Sequence, residues 1–365
     1  MPVVGEELWC PAASLTDDLL IEILSRLEVK PLCRFKCVSK TWDNLISDPY
    51  HCKKLPQTLA GYFYGSPIGP AAPLRFSRVS RQQTCPMFFP YFAVQLPRYQ
   101  EIVLSDSCNG LLLYRCLDAT GDTEYVVVNP ATNKWAGLPS SSQGGKFCEA
   151  RLGFDPVLSP SHFHVFKFVE HEDDFIMAVE IYSSKTGGWV YKEIEWYGHI
   201  VLIDSPWAYV FLNGCLHFLH EEANVAVLDT EGKTWRNVHV PYIWNWDEGS
   251  FIHQSQGSLH YSNFEKDHVV PCLVVYVLED YDREEWVLKH RVETSYLSDL
   301  EVNFGWAAIH PDCNLIFFTV GQDKALMSYD MDRRNIQVIH DLGHDSESPY
   351  LSYVPFYLEL EGLQL

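Results

Sequence analysis

The 365-residue chain carries 27 Lys and Arg against 48 Asp and Glu, a net charge of -21, with 47% apolar and 21% charged residues. This is an ordinary globular balance with room for two or three domains, and its acidity argues against nucleic acid as a partner. The longest apolar run, Val269 to Leu278, is only about 10 residues and contains Pro271, so no membrane partner is expected.

Residues 1–13 lack a basic segment and read as a flexible N-terminus without a secretory signal. The 11 cysteines are odd in number and include no Cys-x-x-Cys pair, the pattern of reduced intracellular thiols. Cytoplasm and/or nucleus is the expected location, and no metal or other cofactor is expected.

From Leu15 to Asp48 the sequence LTDDLLIEILSRLEVKPLCRFKCVSKTWDNLISD predicts three short helices. Thr16 suits an N-cap, and Asp17 and Asp18 suit the positive end of a first helix. Leu19, Leu20, Ile23, Leu24 and Leu27 then recur at helical period. Pro31 fits the start of a second helix carrying Leu32, Phe35 and Val38. Ser39 can cap a third, in which Trp42, Leu45 and Ile46 share a face, and Asp48-Pro49 stops it. So small a unit cannot bury this many large apolar side chains alone, and part of the surface must belong to a partner.

This stretch, assigned to 14–54, resembles an F-box, the motif that docks onto the Skp-family adaptor of Skp/cullin/F-box (SCF) ubiquitin ligases. The matching residues are Leu15, D-D-L-L at 17–20, E-I-L-S-R-L at 22–27, R-F-K-C-V-S-K at 34–40, Trp42 and I-S-D-P at 46–49. Thr16 and Glu28 stand where the family commonly has Pro, and neither departure removes an apolar docking residue. The resemblance implies an adaptor-binding set of Leu15, Leu19, Ile23, Leu24, Leu27, Pro31, Leu32, Phe35, Val38 and Trp42.

Residues 55–100 have no acidic residue, four arginines and many Pro and aromatics, reading as a loop-rich connection and first blade. Residues 101–365 then change to a period near 2 and repeat. Each unit has a turn and an apolar strand, such as Asn109-Gly110 before LLLY, HFHVFKF at 162–168, or Asn213-Gly214 before CLHFL. A second strand runs into a polar turn, and four units close on Trp135, Trp189, Trp235 and Trp286, with Ile336 in the fifth. Those positions are 54, 46, 51 and 50 residues apart. A unit of that size, made of antiparallel strands, is a propeller blade. About six blades are expected, the last assembled from 55–105 and the terminal strand near 350–360. The fold class is therefore α+β multidomain: a three-helix unit followed by an all-β propeller, with a two-sheet sandwich as the alternative.

N-P-A-T-N-K-W at 129–135, Leu138-Pro139 and L-G-F-D-P at 152–156 are similar to the F-box-associated or kelch-like regions of plant F-box proteins. The double-glycine signature of true kelch repeats is largely missing.

No catalytic constellation stands out, neither a Gly-x-Ser-x-Gly elbow nor a His-Glu-x-x-His pair nor a dinucleotide fingerprint. His162 with His164, and Cys215 with His217, share strand faces but do not make a metal site. The expected target-binding residues lie in aromatic connections. They are Trp244, Trp246 and Asp247, with Trp196, Tyr197 and Trp207 second, and the alternative is that these rings fill space between blades. Together the halves imply a non-catalytic substrate receptor of an SCF ligase, with the adaptor, a cullin bound through it and an unidentified protein target as partners. An F-box scaffold or a protein- or glycan-recognition module outside a ligase is the alternative.

Overall fold

The computed structural model describes residues 15–27, 35, 38–47, 51, 59–65, 75–79, 99–141, 146–171, 175–194, 200–203, 205–220, 224–233, 235–241, 250–265, 272–293, 305–311, 313–343, 347–356 and 358–363. The chain divides into two compact units, Met1–Thr58 and Leu59–Leu365. Two helices are described in the first, α1 (Asp17–Leu24) and α2 (Lys40–Ser47). Of the expected second helix Phe35, in a helical turn, and Val38, in the turn before Ser39, are described; Pro31 and Leu32 lie outside the described residues.

The second unit is a six-bladed β-propeller. Blade I joins β1 (Gly61–Gly65) and β2 (Arg75–Arg78) to β23 (Glu347–Tyr353). Blade II is β3 (Tyr99–Cys108), β4 (Leu111–Asp118), β5 (Thr123–Asn129) and β6 (Lys134–Gly137). Blade III is β7 (Lys146–Gly153), β8 (His164–Glu170), β9 (Ile176–Ser183) and β10 (Gly188–Glu193). Blade IV is β11 (Tyr209–Leu212), β12 (Cys215–His220), β13 (Asn224–Asp229) and β14 (Trp235–His239). Blade V is β15 (Phe251–Ser255), β16 (Ser258–Glu265), β17 (Cys272–Asp280) and β18 (Glu285–Glu293). Blade VI is β19 (Gly305–Ile309), β20 (Leu315–Val320), β21 (Ala325–Asp330) and β22 (Asn335–Asp341).

The strands β23, β3, β7, β11, β15 and β19 each touch the next and form a closed cycle, the inner wall of the ring. Blade I closes it with both halves of the unit: β23 is the inner strand and pairs antiparallel with β1, Phe63 opposite Leu351 and Tyr62 opposite Ser352. The strand ends at Tyr353 rather than near Leu360. The segment after it packs Phe356, Leu360 and Leu363 against Leu111, Phe154 and Phe163 of blades II and III.

Stacking covers both faces of the middle strands, so LLLY of β4, LVVYV of β17 and LIFFTV of β20 are continuous apolar runs instead of alternating ones. The outer strands β18 and β22 instead alternate toward solvent. The repeating phase begins one strand earlier than the sequence pattern suggests, because each inner strand precedes the turn taken as the start. Likewise β8 begins at His164, leaving His162 in the preceding turn.

Turn chemistry repeats with the blades. Asn109-Gly110, Asn213-Gly214 and Gln256-Gly257 all have positive φ, as two-residue hairpins with matching twist require. At Gly110 a Cβ would lie 2.5 Å from Phe356 Cβ, so glycine also admits the C-terminal segment. Between third and fourth strands, Asn129, Asp229, Asp280 and Asp330 accept backbone N–H bonds from two or three residues ahead. Trp189 and Trp286 each donate an indole N–H across to the preceding blade, to Pro139 O and His239 O, both at 2.7 Å.

Candidate functional site

Two places stand out, one in each unit. In the helical unit Thr16 occupies the N-cap position of α1 with extended backbone, but its hydroxyl makes no capping hydrogen bond. Ser39 does cap α2: its Oγ accepts the Trp42 N–H at 3.2 Å. Two small apolar clusters hold the helices together, Leu24 and Ile46 with Leu27, Phe35 and Trp42, and Leu20, Ile21 and Leu45 with Leu15 and Trp42. The single stripe read along α1 is thus two. Leu20, Ile21 and Leu24 turn inward, whereas Leu19 is 52% and Ile23 47% exposed. Val38 is 60% exposed. Of the ten residues implied as docking contacts, Leu24 is enclosed by its own chain and Leu15, Leu27, Phe35 and Trp42 are partly buried on the clusters. Leu19, Ile23 and Val38 carry the free apolar surface.

In the propeller a cavity of 170 Å³ lies on the axis, and all six inner strands contribute to its wall. Trp207 is among its lining residues, together with Tyr209, Phe251, Ile252 and Ile309. Trp207 stands in a 3-10 turn, Pro206–Ala208, whose first N–H bond is accepted by Ser205 Oγ at 3.3 Å, and it packs on the blade V and VI cluster of Phe251, Leu273 and Ile309. It is the one described member of the expected target-binding set. Trp196, Tyr197, Trp244, Trp246 and Asp247 lie outside the described residues, in connections that join the outer strand of one blade to the inner strand of the next.

The polar groups of the cavity wall escaped sequence reasoning. Asp106 accepts N–H bonds from Ser107 at 2.8 Å and from Leu152 of the next blade at 2.7 Å. Burial raises its carboxyl above the usual range, against the opposing pull of Arg151 and these N–H groups. The Arg151 guanidinium, next to the wall, lies 4.0 Å over the Tyr209 ring and pairs with Glu149. His253 stacks on His260 with ring centres 5.1 Å apart, and burial, with His260 and Lys289 nearby, holds it well below its ordinary pKa. Both His253 ring nitrogens lack a hydrogen-bond partner. A lone arginine in ARLGFDP and a histidine in FIHQS were the only traces of this in the sequence.

Elsewhere the ionisable groups serve the seams between strands and blades. His217 Nδ1 donates to Cys215 O at 3.1 Å, and Tyr281 of blade V donates to its Nε2 at 2.7 Å. Lys167 meets Glu180 at 3.3 Å beside the Trp189 ring. Among the described residues no three His, Cys, Asp or Glu side chains gather as a metal site.

Comparison with known proteins matches both units. The F-box domain model covers residues 13–54, and the model of the "F-box protein At3g26010-like, beta-propeller" family covers residues 81–354. The chain is 27% identical over 315 residues to F-box protein At5g07610 of Arabidopsis thaliana, covering 77% of this chain and 71% of that one. It is 24% identical over 362 residues to putative F-box/kelch-repeat protein At4g22430 of Arabidopsis thaliana, covering 91% and 82%. A more local match, 30% over 152 residues, reaches 38% of this chain and 34% of putative F-box protein At4g38870 of Arabidopsis thaliana. With an F-box at its start and a six-bladed ring after it, the chain belongs to the F-box proteins of the At3g26010-like β-propeller family.

Proposed function

We propose that this protein is the substrate-receptor subunit of an SCF ubiquitin ligase, with Leu19, Ile23 and Val38 as the centre of its adaptor contact and the propeller as the holder of a protein target. The observation that carries the reading is the division of the F-box apolar side chains: those that hold α1 to α2 are inside, and these three are left in solvent. Covering half-exposed Leu, Ile and Val side chains contributes roughly 1 kcal/mol each, and a surface of this kind marks a protein interface. Leu15, Leu27, Phe35 and Trp42, with Pro31 and Leu32, supply the rest of the contact.

The receptor performs no bond chemistry itself. It raises the local concentration of target lysines near a ubiquitin-charged enzyme brought by the cullin, an effective-molarity effect. It works in the cytoplasm and/or nucleus. The charge supports a target with a neutral or basic face, since residues 55–365 hold 20 Lys and Arg against 40 Asp and Glu. Trp207, at the axial cavity, is the anchor assigned to target binding, and Trp196, Tyr197, Trp244, Trp246 and Asp247 are assigned to it from the sequence.

The test is affinity purification with the proteasome blocked, using the full chain, a form lacking residues 1–54, and Leu19→Asp with Ile23→Asp. Adaptor and cullin are expected with the full chain only. The charged pair is expected to reduce their recovery by more than about tenfold. Equal recovery from all three, or from none, sinks the ligase reading.

A further inference from the structure

The propeller ring is fastened in blade I, where strands from its two ends pair, and the pairing there is irregular. β23 and β1 keep register from Tyr353 opposite Gly61 to Leu351 opposite Phe63, then shift before Glu347 meets Gly65. The seam between blades I and II is apolar: Phe63 and Tyr353 pack on Leu112, Tyr114 and Cys116 of β4, and Ser107 Oγ donates to Ser352 O at 2.6 Å. The described residues 354–356 and 358–363 follow β23 and belong to no strand. They run from blade I across blade II, where Asn129 Nδ2–H donates to Leu358 O at 3.4 Å and Lys134 pairs with Glu359 at 3.1 Å. Phe356, Leu360 and Leu363 are buried on the cluster between blades II and III, the Phe356 ring edge-on to Phe154 at 4.9 Å. Tyr353 and Phe356 are three residues apart, a tether of about 10 Å when fully extended. Blade I is thus tied to the far side of blade II by a short length of chain, and their seam cannot part widely while the three side chains stay seated.

We propose that residues 354–363 are a latch on the propeller ring: seated, they hold blades I and II together, and lifted, they let the ring open at that seam alone. The latch is independent of the receptor reading, and it begins where the match to the β-propeller family model ends, at residue 354. It bears on the axis as well. Leu351, Ser352 and Val354 line the axial cavity on one side of the seam, and Cys108 and Asn109 on the other, so the cavity wall breaks where the ring opens.

The protein carries its own reporter of that opening. Cys116 has no exposed surface and lies in the cluster that joins blades I and II, so a maleimide reaches its thiol only when the two separate. Cys272 of β17 in blade V, also buried, is the reference for opening elsewhere. The experiment is maleimide labelling of the full chain, followed cysteine by cysteine by mass spectrometry, in the parent and in Leu360→Ala with Leu363→Ala. Burial of one leucine side chain shifts such an equilibrium by about tenfold or more. Cys116 is therefore expected to label on the order of 100-fold faster in the pair, with Cys272 changed by less than about threefold. Leu363→Ala alone, expected at about tenfold for Cys116 only, carries the comparison should the pair misfold. An unchanged Cys116 rate means that the segment does not hold the seam, and equal acceleration at Cys116 and Cys272 means that it is shared core; either result overturns the latch.

Discussion

In α1 the apolar side chains are divided between Leu20, Ile21 and Leu24, turned inward, and Leu19 and Ile23, left in solvent. In the middle strands of the propeller the remainder is small: Leu111, Leu112 and Leu113 of β4, or Ile316, Phe317 and Phe318 of β20, are covered on both faces by neighbouring blades, and among the described residues only Met177 of β9 is a large apolar side chain left exposed there. A ring that closes on itself consumes the apolar surface of its middle strands, and what remains lies on its outer strands, as at Val190, Leu288 and Val338, on its connections and at its axis. A helical unit of this size keeps a surplus, and that surplus is its binding surface. Substitution of one buried and one exposed residue exposes the contrast. Phe318→Ala, at 0% exposure between blades, is expected to cost about 3–5 kcal/mol in chemical denaturation of the full chain. Leu19→Ala is expected to stay within about 0.5 kcal/mol while lowering adaptor capture. If Leu19→Ala costs as much as Phe318→Ala, the exposed stripe is packed and the contrast is broken.

How far the sequence could be read follows the same division. The blade period was legible because four blades repeat an aspartate or asparagine at the end of the third strand, four open the next strand near a tryptophan, and left-handed turns recur between them, all local chemistry. The phase was not, since the inner strands are diverse: β3 is YQEIVLSDSC and β15 is FIHQS, and only their place at the axis unites them. The F-box was legible as a motif, yet its stripe on α1 could not be split into inner and outer halves, for Leu19 and Leu20 are chemically identical and differ only in what α2 covers. The cavity was illegible for a third reason. Its wall gathers short runs from all six blades, such as Asp106–Asn109 and Phe251–Gln254, which lie far apart in the sequence and meet only when the ring closes.

Acid separates the units as well. The described core of the helical unit is hydrocarbon, Leu20, Ile21, Leu24, Leu45 and Ile46, whereas the propeller buries histidines in its seams. Burial holds His217 at about 4, with His164 and His260 also at about 4, against an ordinary value of 6.5. Between those values the unfolded chain binds a proton that the folded one refuses, so stability falls as pH drops through 6.5, and the loss is complete near 4. For His217 alone the step from pH 7 to pH 5 costs about 2 kcal/mol. Thermal melts of the propeller across this range should show that decline, and His217→Gln should flatten it. A flat profile in the parent would mean the seam is hydrated and its histidines titrate freely.

The smallest contrast lies within the helical unit. Thr16 and Ser39 both stand where a helix begins, and both were expected to cap. Only Ser39 accepts a backbone N–H, that of Trp42, while the Thr16 hydroxyl is unused in capping. Ser39→Ala is therefore expected to cost about 1 kcal/mol, and Thr16→Ala only a few tenths. Because Trp42 packs on both apolar clusters, slackening its turn loosens the support beneath Leu19 and Ile23. Adaptor affinity should then fall measurably for Ser39→Ala and stay unchanged for Thr16→Ala, as read by titration with purified adaptor. Equal losses would mean that Thr16 touches the adaptor directly, a role its exposed position permits and its geometry toward α1 does not explain.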